Sequence, residues 1–389
     1  MDFRIDRNPA IAVTIGACIG VAISFWPVAF VASIAVPACA LLQRKRLYAA
    51  AVAFAYYAGA IWLVMPSVET FFGPKPGKLD AVAIWLCGAA LLTVPYALLW
   101  TLNHRTIALR SILAVLVSVP PPLGIIGVAN PITAAGFLFP GTAWFGLAAT
   151  LAAIATLCVR PASATIIITV VAIGCNLIYP GDPKPPADWE AVNTDFGGVG
   201  RNASAELNAA RFIQQRVLAS KARVIVFPET VVPRWTEATD LFWQQALDAL
   251  ASSGKTILLG TTFDIPGQVG YENGIVIRGA QTGTFLQHIP VPVGMWNPFR
   301  SSSVPLNFSG PSCITIDHRR AAILICYEQV LTWPMLAAAV NQPEILVAIA
   351  NDSWAQARVA AIQRGVLASW ARLFSVRTAF ATLLRERFN

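Results

Sequence analysis

Two short apolar runs in this chain end in residues that could make and break an acyl thioester. Residues 321–328 read Ala-Ala-Ile-Leu-Ile-Cys-Tyr-Glu, a strand pattern that stops at Cys326 and is followed by the acid Glu328. Residues 223–230 read Arg-Val-Ile-Val-Phe-Pro-Glu-Thr, a second apolar strand that ends at Glu229. A thiol attacks a carbonyl as its thiolate, and a neighbouring carboxylate can take the proton. The oxyanion that forms then needs a donor, either a backbone N–H or a cation. A third apolar run closes on Asn351-Asp352-Ser353-Trp354. Sites of layered α/β proteins lie beyond the C-terminal ends of their strands, so these three polar tips are expected to converge. A helix expected over residues 331–340 would point its N-terminus towards Cys326 and lower the thiol pKa.

Each of these residues also has a plainer reading. Cys313 and Cys326 are the two cysteines of the second half, and in an oxidising compartment they could form a disulfide. Glu229 could be a solvated loop acid, although Pro228 and the apolar strand behind it argue for a fixed, partly buried position. Glu328 is either a support of the site or the N-cap of the next helix, and Asn351-Asp352 is either part of the site or a turn.

The elements that must position these tips alternate. Helical spacing covers residues 203–220, 241–252, 331–340 and 359–379, and the last stretch is expected to stay helical from 364 towards the end of the chain. Strand patterns cover 223–227, 256–261, 274–277, 284–289, 313–317, 321–325 and 344–350. Short, wholly apolar strands separated by helices mean sheets covered by helices. Residues 180–189 hold four prolines in ten, an extended spacer, and the linker is taken as 180–194.

The first 179 residues read differently. The chain is 56% hydrophobic and 12% charged, against about 25% charge in a soluble domain. Residues 8–43, 47–68, 81–104, 111–159 and 161–181 lack Asp, Glu, Lys and Arg altogether. A span takes about 20 apolar residues. With breaks at Trp26-Pro27 and near residues 120–131, the pattern predicts about seven transmembrane helices. Arg4, Arg7, Arg44, Lys45, Arg46, Arg105, Arg110 and Arg160 then share one side, and Lys75 and Lys78 are exceptions. Positive residues mark the cytoplasmic face, so the second half is expected outside the cytoplasm. No ionisable residue lies within the expected spans, which argues against a transporter. The net charge of +8 is largely accounted for by these loops. No basic run interleaved with aromatics follows, so nucleic acid is not expected as a partner. Five cysteines (Cys18, Cys39, Cys87, Cys158, Cys175) fall in expected spans, where they act as small apolar residues. No CxxC pair occurs and His104, His288 and His318 are scattered, so neither metal nor cofactor is expected.

Phe227-Pro-Glu-Thr, Cys326-Tyr-Glu and Asn351-Asp-Ser-Trp, in this order and with the region of Tyr271 and Asn273 between them, resemble the nitrilase (carbon–nitrogen hydrolase) superfamily. With a multispan half in front, the chain is similar to apolipoprotein N-acyltransferases. It is most similar to their divergent branch on conjugative plasmids, the TraB conjugal transfer proteins. The resemblance implies an αββα sandwich over residues 195–389, with Glu229 as general base, Cys326 as nucleophile and Glu328 supporting them. It also implies a membrane-lipid setting at the inner membrane with the second domain on the periplasmic face, a phospholipid acyl donor, and a lipoprotein or peptide acceptor.

Two departures stand against the family pattern. The segment Val291-Pro-Val-Gly-Met aligns so that the family's catalytic lysine falls on Gln287 and a family glutamate on Met295. Gln287 can donate a hydrogen bond to an oxyanion but carries no charge, and neither His288 nor Arg300 is placed by its spacing to replace the cation. The family also continues with further strands and a final span, so a sandwich short of its last strands, with an open edge, is expected. Two readings follow: a Cys-dependent acyltransferase or amidase, or a catalytically weakened relative that binds or assembles within the transfer machinery.

Overall fold

The computed structural model describes residues 8–72, 77–196, 203–354 and 357–384. Arg4, Arg7, Lys75 and residues 385–389 lie outside the described residues. The chain divides into two compact units: residues 1–182 with 330–333 and 356–375, and residues 183–329 with 334–355 and 376–389.

The first unit is helical. Its helices are α1 (Pro9–Ile23), α2 (Phe30–Ser33), α3 (Val36–Leu41), α4 (Arg46–Ala60), α5 (Val64–Phe72), α6 (Lys78–Leu99), α7 (Ile107–Leu116), α8 (Ala135–Leu138), α9 (Trp144–Val159) and α10 (Pro161–Ile178). Of these, α6 and α10 are long and apolar enough to cross a membrane, and α1, α7 and α9 are shorter apolar helices. Helices α1 and α4 meet through small residues. A Cβ on Gly20 would lie 2.1 Å from the Tyr56 carbonyl oxygen, and one on Gly16 would lie 2.8 Å from that of Val52. Glycines four apart open this close approach between backbones, as in membrane helix pairs.

The second unit is α/β. One sheet has the order β1 (Trp189–Ala191), β2 (Val224–Val226), β3 (Thr256–Asp264), β4 (Tyr271–Gly279), β5 (Gly283–Leu286). Strands β1, β2 and β3 run parallel, and β4 and β5 add antiparallel. The other sheet has the order β6 (Cys313–Ile316), β7 (Arg319–Ile325), β8 (Ile345–Asn351), β9 (Arg377–Leu383), with β7, β8 and β9 parallel. Side chains of both sheets interleave in one buried cluster, with Val224, Leu258 and Ile275 from the first and Ile323, Val347 and Ala379 from the second. The outer face of the first sheet is covered by α11 (Ala203–Ala219) and α12 (Glu237–Ser252), through Ile213, Val217, Trp243 and Leu250. In β8 the alternate set Leu346, Ala348 and Ala350 is buried as well as Ile345, Val347 and Ile349. A strand buried on both faces reads as an unbroken apolar run.

Four expectations are corrected. Residues 364 onwards do not stay helical. The helix α14 (Ala357–Phe374), which follows α13 (Thr332–Ala339), ends at Phe374, and 377–383 forms β9 beside β8. The β-branched and aromatic content of Arg-Thr-Ala-Phe-Ala-Thr-Leu suits a strand, but its alanines match a helix period equally well. The expected open edge is partly closed, because Leu384 N–H donates to the Thr194 carbonyl and Thr194 N–H to that of Thr382. The Pro-rich spacer also contributes structure, since Trp189–Ala191 adds to the first sheet as β1. Finally, α14 groups with the helical unit rather than with residues 195–389. Gly365 and Ser369, four residues apart, let it pack against Pro27 and Gly136, and the Ser369 hydroxyl donates to the Thr133 carbonyl.

Candidate active site

Glu229 stands just past β2. Phe227 N–H still bonds the Leu258 carbonyl at 2.9 Å, but Pro228 has no N–H, so pairing stops and the tip turns inward. Gly260 on β3 admits that turn, since a Cβ there would lie 2.3 Å from the Pro228 oxygen and 2.4 Å from Glu229 Cα. Thr230, with φ of 50°, completes the bend. The Glu229 carboxylate is buried and fixed at both oxygens. Asn273 Nδ2 donates to Oε1 at 2.7 Å and Asn351 N–H donates to Oε2 at 2.9 Å.

Cys326 follows β7 directly with φ of 52°, a left-handed conformation that costs a non-glycine residue about 1–2 kcal/mol. The bend ends the strand and starts a short 3-10 turn, Cys326–Val330. The thiol is buried and in hydrogen-bond contact with the Glu229 carboxylate. Burial raises Glu229 to about 7, against the lowering effect of its bonds from Cys326, Asn273 and Asn351. Burial also pushes the Cys326 thiol well above its ordinary value, helped by the charges of Glu229 and Asp352. The expected lowering by a helix N-terminus is therefore overturned. Helix α13 begins only at Thr332, beyond the 3-10 turn, and desolvation of the thiolate dominates.

Glu328 is not an N-cap. Its Oε1 accepts from His288 N–H at 2.7 Å and Ile289 N–H at 2.9 Å, and its Oε2 accepts from Ile325 N–H at 2.8 Å. It ties the segment after β5 to the end of β7, and so holds Gln287 beside Cys326. Gln287 Nε2 donates to the Ile325 carbonyl at 3.0 Å and its Oε1 accepts from Asn273 Nδ2 at 2.9 Å. Both ends of this amide are engaged in the ground state. The His288 imidazole lies 3.6 Å from Glu328, and Arg300 sits on an exposed turn.

The third tip is both turn and site. Asn351 Oδ1 accepts from Ser353 N–H and Oγ, while its Nδ2 donates to Thr230 Oγ1 at 2.7 Å. Trp354 packs against the inter-sheet cluster that includes Cys326. The disulfide alternative is not what the structure shows, because neither Cys313 nor Cys326 is bridged and Cys313 Sγ donates to the Ala338 carbonyl instead. Glu229, Cys326, Glu328 and Gln287 are thus brought together. What spacing alone missed is Asn273, which bridges Glu229 and Gln287, and Thr382, whose hydroxyl donates to Asp352. The signal for Asn273 lay in the resemblance, whose ordered motifs enclose the region of Tyr271 and Asn273; nothing in the sequence pointed to Thr382. Among the described residues no group of His, Cys, Asp and Glu could hold a metal ion.

Two facing sheets that carry a buried glutamate–cysteine pair at their strand tips define a layered α/β protein with a candidate thiol–carboxylate site. The chain belongs to the TraB family of conjugal transfer proteins. It is 32% identical over 347 residues to a probable conjugal transfer protein TraB of Sinorhizobium fredii, which covers 85% of this chain and 87% of that protein. A shorter stretch, 35% of this chain and 30% of the relative, is 29% identical to an apolipoprotein N-acyltransferase of Pseudomonas syringae pv. tomato. Among solved structures, the chain is similar at a TM-score of 0.37 and 12% identity to a nitrilase-superfamily amidase from Nesterenkonia, over 50% of this chain and 74% of that one. No protein-family model matches the chain.

Proposed function

We propose that the chain is a multi-pass membrane protein of bacterial conjugal transfer whose α/β unit forms a thioester on Cys326, as an acyltransferase or amidase. The observation that carries this reading is the buried Cys326–Glu229 contact, with the carboxylate held in place by Asn273 and Asn351. Glu229, with its pKa near neutrality, is suited to act as base and then as acid. As Cys326 Sγ bonds to the carbonyl carbon of an acyl donor, its proton passes to Glu229. The tetrahedral intermediate collapses, the bond to the leaving oxygen or nitrogen breaks, and that atom takes the proton from Glu229. An amine or water then attacks the thioester and gives its proton to Glu229, which returns it to the departing thiol. Membrane phospholipid is the proposed acyl donor, and a lipoprotein or peptide amine the proposed acceptor.

The membrane reading rests on exposed apolar surface. Along α10, Ile166, Ile167, Val170, Val171, Ile173, Leu177 and Ile178 are all exposed. A helix apolar around its circumference needs lipid or protein cover. We assign about seven spans to residues 1–179, with the N-terminus cytoplasmic and the α/β unit on the periplasmic face of the inner membrane.

The test is intact-protein mass spectrometry of the purified full chain, before and after neutral hydroxylamine, beside Cys326→Ala. The expected result is an acyl mass that hydroxylamine removes and that Cys326→Ala lacks, while the variant still inserts in the membrane. A free, alkylatable Cys326 with no adduct would overturn the thioester and favour a binding or assembly role.

A further inference from the structure

Asp352 has no part in the steps above, yet it is only 4% exposed and adjoins the amide that binds Glu229. Strand β9 holds it. The Thr382 hydroxyl donates to Oδ2 at 2.6 Å, and the N–H of Asp352 donates to the Leu383 carbonyl at 2.8 Å. Thr382 is itself fully buried and fixed, with its N–H bonded to Asn193 Oδ1 at 2.9 Å. A second carboxylate is therefore built into the same tip cluster by a hydroxyl from a neighbouring strand.

We propose that Asp352, oriented by Thr382, is a positioning residue whose fixed negative charge keeps a proton on the Glu229–Cys326 pair at neutral pH. Like charges in a dry site cannot all ionise, and such groups titrate as a set. The groups in this set are Glu229 beyond β2, Cys326 beyond β7, Tyr271 on β4 through its interaction with Glu229, and Asp352 itself, and Asp352 contributes to the upward displacement of both Glu229 and Cys326. The Glu328 carboxylate and His288 face each other on the other side of the β7 turn. The consequence is a thiol guarded from adventitious alkylation and oxidation until a carbonyl is in place.

This inference rests on the roles proposed for Glu229 and Cys326, but its test reads thiol chemistry and not acyl transfer, so the two can fail separately. The rate of Cys326 alkylation by iodoacetamide is followed on the full chain in detergent, by mass spectrometry of the Cys326 peptide. The expected result for Asp352→Asn is a profile moved to lower pH, with the neutral-pH rate up by about tenfold for each unit moved. Thr382→Val should move the profile in the same direction by less, and Thr382→Ser should match the wild type. A purely structural role would change the rate equally at every pH without moving the midpoint. An Asp352→Asn profile that is unmoved, or moved upward, overturns the proposal. If that variant fails to fold, Thr382→Val decides alone, and an unmoved midpoint there overturns it equally.

Discussion

At the scale of single residues, the site shows a carboxylate and a thiol placed where neither ionises easily. Glu229 is displaced upward from 4.5 to about 7 by burial. A raised carboxyl pKa means that the fold prefers the protonated form. Its stabilising contribution is therefore complete below about 4.5 and is lost as pH rises through 7. Melting of the purified protein against pH should show this loss in the wild type and a flatter curve in Glu229→Gln. Gln287 poses a separate question, because its amide is held between Asn273 and the Ile325 carbonyl. A lysine there can keep the bond to Ile325 and adds a charge near Glu229 and Cys326. Gln287→Lys should bring Cys326 alkylation to lower pH. If the missing cation limits the site, transfer should also rise, towards the 10²–10³ or so that an aimed donor contributes. An alkylation profile like the wild type would show that position 287 does not reach the pair.

At the scale of elements, small residues decide which surfaces can touch. Gly16 and Gly20 bring α1 against α4, and the space beside Gly20 is closed by backbone, which cannot rotate away. Gly20→Leu should therefore cost at least the ~1–3 kcal/mol of core overpacking. Gly174, with nothing within 4 Å of an added Cβ, serves as the comparison, and Gly174→Ala should stay within about 0.5 kcal/mol. Folded yield and melting temperature in detergent separate the two. In the α/β unit, strand β9 completes the network under the site, since it carries Thr382 and pairs with β8 in register from Ile345–Arg377 to Asn351–Leu383.

At the scale of the whole molecule, the proposed topology sets residues 183–196 on the opposite side of the membrane from the basic loop between α3 and α4. Lys184→Cys should react with a membrane-impermeant maleimide added to intact cells from which the outer membrane has been removed, while Lys45→Cys should react only after permeabilisation, each measured against the wild-type background. Labelling of Lys45→Cys from outside, with Lys184→Cys protected, would invert the orientation and place the α/β unit in the cytoplasm.

The order of strands and helices from α11 to β8, the apolar first half and the polar tips at Glu229, Cys326 and Asn351 were determined by the sequence alone, because burial on both faces demands unbroken apolar runs and leaves polar residues only where strands end. Residue spacing could not determine what those tips bond to. The three carboxylates Glu229, Glu328 and Asp352 look alike in the chain. Only the packing of two sheets makes one face the thiol, turns another onto three backbone N–H groups and hands the third to Thr382. The direction of the Cys326 pKa was decided in the same way. A nearby helix suggested a lowered value, but the depth at which the inter-sheet core buries the thiol raises it. The last strand was also settled by tertiary structure, because an alanine-rich segment satisfies both periods and only the free edge of β8 selects one.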